Sequence, residues 1–141
     1  MATRKKTVLP DYSEDFDMLL FGICSGLKDY RLCFELNQKL EVDFTRIDDY
    51  KIMLGRNNSF AAYPRFSFVN DEEQTFIFLR NRSNEHHILP ELKNIDYLLI
   101  IKPVADMKQN SIMHLLQEIG SVQSVFAIDV LKLKSRFNLL M

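Results

Sequence analysis

Residues 89–103 read LPELKNIDYLLIIKP, a turn sequence that runs directly into a short apolar segment. Nearly every position from Ile95 to Lys102 is apolar, and Pro103 ends the run. A run of this kind, without polar alternation, is typical of a strand that is covered on both faces or lies in the centre of its sheet. We therefore expect residues 95–102 to form a buried strand.

Two helices and two further strands are predicted around this segment. Residues 16–24 form an apolar block that ends at Ser25-Gly26, which indicates a buried strand, and residues 125–131 supply a last one. The helix after Gly26 is expected to bury the apolar side chains Tyr30, Leu32, Cys33, Phe34, Leu36 and Leu40. A second helix is predicted because apolar residues recur at i, i+3, i+4 and i+7 before Gly120: Ile112, Leu115, Leu116 and Ile119.

A β-hairpin is predicted between these two halves. Residues 60–69 and 75–82 alternate in polarity on either side of the polar segment 70–74. Pairing in register places four aromatic rings on one face, which something else must then cover: Phe66, Phe68, Phe76 and Phe78. Residues 43–54 suggest one more short strand, which charged residues interrupt.

The order of these elements predicts an α+β fold, with a mostly antiparallel sheet of five or six strands and two helices packed on one face. A ferredoxin-like arrangement with an added strand is the leading topology. Residues 16–133 are predicted to form the single domain, preceded by a flexible lead-in at residues 1–15 and followed by a C-terminal tail at residues 134–141.

Composition narrows the class of protein. The chain has 141 residues, 47% of them hydrophobic, with a formal net charge of -1. It is long enough for one globular domain, and this charge does not favour nonspecific capture of nucleic acid or of anionic membrane. The chain has two cysteines, no apolar segment after the basic residues 4–6 and no run long enough to cross a membrane. We therefore expect a soluble, cytoplasmic protein.

The segment 89–97 resembles the signature of the bacterial IPExxxVDY family. Leu89 stands where the family name has Ile, and Ile95 stands where it has Val, so both positions stay apolar. The resemblance extends to residues 27–32, to residues 133–135 and to residues 138–140, and so covers most of the chain. The family is functionally uncharacterised, so the resemblance implies no reaction, ligand or catalytic residue.

Glu91 and Asp96 are the candidate carboxylate pair for acid-base chemistry, which needs two groups held in different environments. A structural role for these two residues is favoured over acid-base catalysis. Pro90 suits the first position of a single helical turn, Glu91 complements the positive end of that turn, and Asp96 can accept hydrogen bonds from backbone N–H groups before the strand. The Tyr97 hydroxyl is expected to join this network.

Neither a metal site nor a cofactor site is predicted. His86 and His87 are adjacent, and neighbouring residues of a strand point to opposite faces, with no third ligand at a recognisable spacing. No Ser/His/Asp arrangement and no glycine-rich phosphate loop occurs in the sequence. A non-catalytic role is therefore favoured, with an enzyme built on Glu91, Asp96 and a histidine as a minor alternative.

Two functions remain open. The first is a small interaction or adaptor domain whose partner protein is unidentified, with a surface formed by Pro90, Glu91 and Asp96 together with Arg80 and Arg82. The alternative is a single-stranded RNA-binding domain, because Arg65-Phe66-Ser67-Phe68-Val69 is similar to the aromatic strand of the RNA-recognition motif. Phe66 and Phe68 would then stack on bases, with basic residues on phosphates. The sequence leaves the oligomeric state open.

Overall fold

A six-stranded antiparallel sheet forms the centre of the computed structural model, which describes residues 13–55 and 57–141. The chain forms, in order, β1 (Leu19–Ser25), α1 (Asp29–Leu40), β2 (Thr45–Met53), β3 (Phe60–Val69), β4 (Thr75–Arg80), β5 (Arg82–Ser83), β6 (His86–His87), β7 (Tyr97–Lys102), α2 (Gln109–Gln117) and β8 (Val122–Ile128). Single 3-10 turns occupy Ser13–Phe16, Pro90–Leu92, Val130–Lys132 and Arg136–Leu139. Most of the predicted lead-in, residues 1–12, lies outside the described residues.

The strand order in the sheet is β2-β3-β4-β7-β1-β8, and each neighbouring pair is antiparallel. The predicted α+β class, antiparallel sheet and two helices are thus confirmed. The four strands β8-β1-β7-β4 have the order of a ferredoxin-like sheet, and β2 and β3 extend it at one edge. β5 and β6 form a separate two-stranded ribbon.

Both helices pack on one face of the sheet. Leu32 and Leu36 of α1 and Leu116 of α2 are fully buried in the same cluster as the inward side chains of β1. The prediction that Tyr30 and Phe34 belong to the buried face of α1 is wrong, because each is 60% exposed. These two residues are four apart and share a second stripe of the helix, which faces away from the sheet.

The predicted hairpin is confirmed in its register. Phe66 pairs with Phe78 and Phe68 pairs with Phe76, so the four rings share one face. Phe44, in the segment between α1 and β2, contacts the rings of Phe76 and Phe78. Phe66, Phe76 and Phe78 are buried and Phe68 is partly buried, so the four-ring face is packed inside the domain.

The second face of the sheet is covered by irregular segments. The signature segment contributes Leu89 and Ile95, and Ile88 lies just before it. The last residues of the chain contribute Leu133 and Leu139, and all five side chains are buried against the sheet. Residues 134–141, predicted as a tail after the domain, therefore place Leu139 in this second core. The predicted strand at residues 95–102 is β7, which lies between β4 and β1 and is covered on both faces.

Among the described residues, no helix combines the length and the apolar character that crossing a membrane would require.

Candidate functional site

The signature segment lies between two other parts of the chain and bonds to both. At its start, the Pro90–Leu92 turn faces residues 130–141, which we call the C-terminal segment. At its end, Asp96 and Tyr97 face the turn between β1 and α1. The candidate residues therefore fall into two groups, and the structure does not bring Glu91 and Asp96 to one shared site.

Glu91 joins the signature turn to the C-terminal segment. Its carboxylate accepts a hydrogen bond from the backbone N–H of Ser135 at 3.0 Å and a second from the Ser135 hydroxyl. Burial alone would raise the pKa of Glu91, but the hydrogen bonds from the Ser135 side chain and from nearby backbone groups outweigh this and lower it to about 2. Glu91 is therefore ionised at neutral pH and engaged in holding the chain.

Asn138 makes a second link between the same segments. Its side-chain amide donates to the carbonyl of Ile88 at 2.8 Å, and its own carbonyl accepts from the Tyr50 hydroxyl at 2.7 Å. The C-terminal segment is thus fixed to the signature at Ile88 and Glu91 and to β2 at Tyr50.

Asn81, which the sequence analysis did not single out, organises the interior of the signature. It is fully buried directly after β4. Its side chain donates to the carbonyls of Leu92 and Ile95 at 2.9 and 3.1 Å and accepts from the N–H of Leu89 at 2.9 Å. Its backbone pairs with Ile88 and Asp96. An irregular segment can be buried only if its backbone groups find partners, and Asn81 supplies them.

Asp96 and Tyr97 hold the turn that follows β1. Asp96 accepts from the backbone N–H of Ser25 at 3.0 Å, and the Tyr97 hydroxyl donates to the carbonyl of Leu27. Burial raises the pKa of Tyr97, an effect that the charge of Arg80 opposes and that Asp29 and Asp96 strengthen. Both residues therefore hold the turn that leads from β1 to the start of α1.

A cleft of about 370 Å³ opens beside this turn. Its walls carry Ser25, Gly26, Leu27, Lys28, Arg80, Arg82, Lys93, Ile95, Asp96 and Tyr97. Four of these residues are cations and one is a carboxylate. Arg80 and Arg82 were predicted as surface residues near the signature. Lys93, inside the signature, and Lys28, far away in the sequence, were not identified as site residues.

The four cations of this cleft lack acidic partners within residues 13–55 and 57–141. The ion pairs in these ranges are Lys39 with Glu118 and Arg46 with Asp49, at other places on the molecule. Arg82 donates to the carbonyl of Asn84 at 2.6 Å, and the Asp96 carboxylate bonds to backbone. We call this site, defined by Lys28, Arg80, Arg82 and Lys93, the basic cleft.

The pKa of His87 is affected by the positive charges of the basic cleft. Burial lowers the pKa of its imidazole, and the charges of Arg82 and Lys93 lower it further, with a smaller effect from His86. Among the described residues, no group of three or more potential metal ligands converges. His87 is thus placed as a neutral ring beside a cationic surface.

An apolar groove continues from the basic cleft across Leu27. It is lined by Leu27, Tyr30, Arg31, Phe34, Glu35 and Ser121 and encloses about 580 Å³. Tyr30 and Phe34, the two exposed aromatic residues of α1, form its apolar wall. We call this site the aromatic groove.

The remaining nucleophile candidates do not form a reactive site. Cys24 and Cys33 are both free thiols. Burial raises the pKa of Cys33 to about 11, and Asp29 and Asp43 add to the effect. Because the thiolate is the nucleophile, Cys33 is unreactive at neutral pH. Cys24 donates its thiol proton to the carbonyl of Asn94 at 3.3 Å.

The rings proposed for RNA stacking are also engaged within the fold. Phe66 is only 7% exposed and lies against Phe78, and Phe68 lies against Phe76. Base stacking needs an accessible ring face, so this arrangement favours packing over recognition for both residues.

No protein-family model matches the chain, and no curated protein matches it significantly. What the structure defines is a class: an α+β domain with helices on one sheet face, tied irregular segments on the other, and a basic cleft where the signature meets the start of α1.

Proposed function

We propose that this protein is a small, cytoplasmic, non-catalytic interaction domain that binds a partner protein through the basic cleft and the aromatic groove. The observation that carries the proposal is the convergence of Lys28, Arg80, Arg82 and Lys93 on one cleft without acidic partners in the described chain. Two free cysteines are compatible with a reducing compartment.

The charge of the basic cleft selects the chemistry of the partner. Four like charges around one concavity repel one another, and an anionic ligand relieves that repulsion when it binds. At about 370 Å³ the cleft has the volume of a few side chains and not of a folded surface. We therefore expect the partner to present aspartate or glutamate residues.

The aromatic groove adds the apolar part of the recognition. Tyr30 and Phe34 are each 60% exposed, whereas Leu32 and Leu36 of the same helix are fully buried. Aromatic residues and arginine are enriched among the residues that dominate binding energy at interfaces, and Arg31 lies beside these two rings. A flexible segment with acidic residues a few positions from leucine or phenylalanine would occupy both sites at once.

The proposal is tested by selecting binders from a phage-displayed library of random 12-residue peptides. We expect the selected peptides to be enriched in acidic residues next to large apolar ones. In NMR titrations with a selected synthetic peptide, shifts should concentrate at Arg80, Arg82 and Lys93 and at Tyr30 and Phe34.

Matched variants decide whether the sites are responsible. Arg80→Ala with Arg82→Ala should weaken the peptide at least tenfold, whereas Lys132→Ala with Lys134→Ala, which removes the same charge from exposed positions elsewhere, should leave its affinity unchanged. Selected peptides without charge preference, or equal binding by both double variants, would overturn the proposal. Binding of single-stranded oligouridine without binding of any peptide would replace it with the RNA alternative.

We also propose that the chain is related to the IPExxxVDY family. The segments that carry the resemblance meet at the signature. It bonds to residues 27–32 through Tyr97 and to residues 133–135 through Glu91, and Asn138 bonds to Ile88, the residue just before the signature. These contacts give a structural reason for the residues of the signature to occur together.

A further inference from the structure

The two edges of the sheet differ in how they are protected. β2, at one edge, carries Arg46, Asp48, Asp49 and Lys51, and its pairing with β3 is irregular between Ile47 and Tyr50. Charges and bulges are the usual means by which an edge strand is kept from pairing with another chain. The β2 edge is thus protected.

β8, at the other edge, has no such charges, and its pairing is regular from Ser124 onward. Its seven residues, VQSVFAI, contain neither a charged residue nor a proline. The strand pairs with β1 over nearly its whole length, and the irregularity in that pairing lies between Val122 and Ser124. Phe126 is 49% exposed and Ala127 is exposed as well.

The outer backbone of β8 is also unpaired within the described part of the chain. β1 is its one neighbour in the sheet. Beyond that pairing, the N–H of Val122 bonds to the carbonyl of Ile119, and no hydrogen bond reaches the outward groups between Gln123 and Ile128. A regular, uncharged strand with free backbone donors and acceptors is a template for a further strand.

We propose that β8 pairs antiparallel with β8 of a second copy of this chain, so that two six-stranded sheets join across a two-fold axis. An isologous contact requires a surface that complements itself. β8 meets this condition because, with the axis near Val125, Phe126 lies across from Ser124 of the second copy and Gln123 across from Ala127, without contact between like charges.

The protected β2 edge argues for this particular occupant. Pairing of β8 with β2 of another copy would be head-to-tail and would set an uncharged strand against the charged, irregular β2 strand. Pairing of β8 with itself avoids that mismatch and closes the assembly at two copies. The contact is limited to one strand and its flanking side chains, so we expect a dimer at the low end of interface sizes, with a Kd in the micromolar range.

The dimer would make binding by the aromatic groove bivalent without altering it. Ser121, which lines the groove, immediately precedes β8. Antiparallel pairing therefore places the grooves of the two copies at opposite ends of the joined strands. The inference about β8 does not depend on what the groove binds.

Sedimentation velocity of the full chain over a range from about 5 to 500 µM tests the proposal. We expect a monomer–dimer equilibrium, with slower amide hydrogen exchange in residues 123–128 at the higher concentrations. Phe126→Lys places a charge on the β8 edge, which disfavours pairing with a second strand, so the apparent Kd should rise at least tenfold. Met53→Lys, the same change at a 60% exposed position of the β2 edge, should leave the Kd unchanged.

The remaining outcomes are equally informative. If Phe126→Lys fails to fold by circular dichroism, Ala127→Lys supplies the same charge from a smaller residue and should have the same effect. A wild-type chain that stays monomeric at every concentration overturns the proposal, as does a dimer that both lysine variants at the β8 edge leave intact. Protection of residues 123–128 that does not change with concentration would assign the edge to another segment of the same chain.

Discussion

At the scale of single residues, Asn81 stabilises the signature most directly. Its amide satisfies the N–H of Leu89 and the carbonyls of Leu92 and Ile95 in the interior. Asn81→Ala would leave two backbone groups without partners, the Leu89 N–H and the Ile95 carbonyl, since the Leu92 carbonyl still accepts from the Ile95 N–H. Each such group costs about 1–3 kcal/mol when buried. Some relaxation is expected, so the free energy of unfolding should fall by about 2–4 kcal/mol in urea titrations.

Asn110→Ala is the matched control for this prediction. Asn110 is exposed in the first turn of α2 and has no side-chain hydrogen bond in the described chain. The change should alter the free energy of unfolding by less than about 0.5 kcal/mol. Equal effects of the two substitutions would mean that Asn81 does not organise the signature.

Glu91 makes stability depend on pH in an acidic window. Its pKa is about 2 in the folded protein against an ordinary value of 4.5, so the ionised form is favoured by folding. The stabilisation is fully present above pH 4.5 and is lost as pH falls toward 2. Because the carboxylate is exposed, the contribution should stay below about 1 kcal/mol.

Urea titrations of the wild type and of Glu91→Gln between pH 7 and pH 2 measure this contribution. The wild type should be more stable at pH 7, and the difference should shrink below pH 4.5. Glu72→Gln, at an exposed turn position, controls for the loss of one negative charge. A difference that is constant down to pH 2 would show that the Glu91–Ser135 link does not depend on ionisation.

At the scale of elements, Gly22 explains how the signature can lie so close to the sheet. A Cβ at this position in β1 would come within 2.5 Å of Ile95 Cδ1 and 3.0 Å of Ile128 Cδ1. Gly22→Ala should therefore destabilise the protein by about 1–3 kcal/mol through overpacking. Gly120→Ala is the control, since a Cβ there meets nothing within 4 Å.

A double-mutant cycle identifies the overlapping pair. Ile95→Val removes the atom that lies closest to the added Cβ, so Gly22→Ala should cost about 1 kcal/mol less in the Ile95→Val background. Additive effects in urea titrations would place the strain on Ile128 Cδ1 or on Ile95 Cγ2, an atom that valine retains, since each of these two atoms lies 3.0 Å from the added Cβ.

The elements that could be predicted from sequence are those with a regular pattern, either an alternation in polarity or an unbroken apolar run. The hairpin register followed from alternation around residues 70–74, and β7 followed from an unbroken apolar run. The buried face of α1 was assigned too broadly, because Tyr30 and Phe34 lie among Leu32, Cys33 and Leu36 and the helix shows no single apolar stripe. The covering of the second sheet face could not be predicted, since Ile88, Leu89 and Leu139 lie in segments without regular spacing.

At the scale of the whole molecule, the basic cleft is formed by residues that come together only in the folded chain. Lys28 is separated from Arg80 and Lys93 by a long stretch of sequence, and the pairing of β1, β7 and β4 brings the three to one cleft. Arg80 and Arg82 were within reach of the sequence because they lie near the signature. Lys28 and Lys93 lie in segments that carry the family resemblance, but nothing in the sequence marked them as binding residues, because surface lysines are common in any soluble domain.

The C-terminal segment belongs to the same cooperative unit as the sheet, and this is the last prediction. Leu139 is fully buried in the second core, next to Leu140, which is 38% exposed. Leu139→Ala should lower the free energy of unfolding by about 2–5 kcal/mol, whereas Leu140→Ala should cost less than about 1 kcal/mol. If the segment folds with the sheet, Leu139→Ala should lower the urea midpoint without changing the steepness of the transition, and amide protection should fall equally in the C-terminal segment and in β7. Protection lost from residues 130–141 alone would instead show that this segment opens separately and that β7 is stabilised mainly by the helical layer.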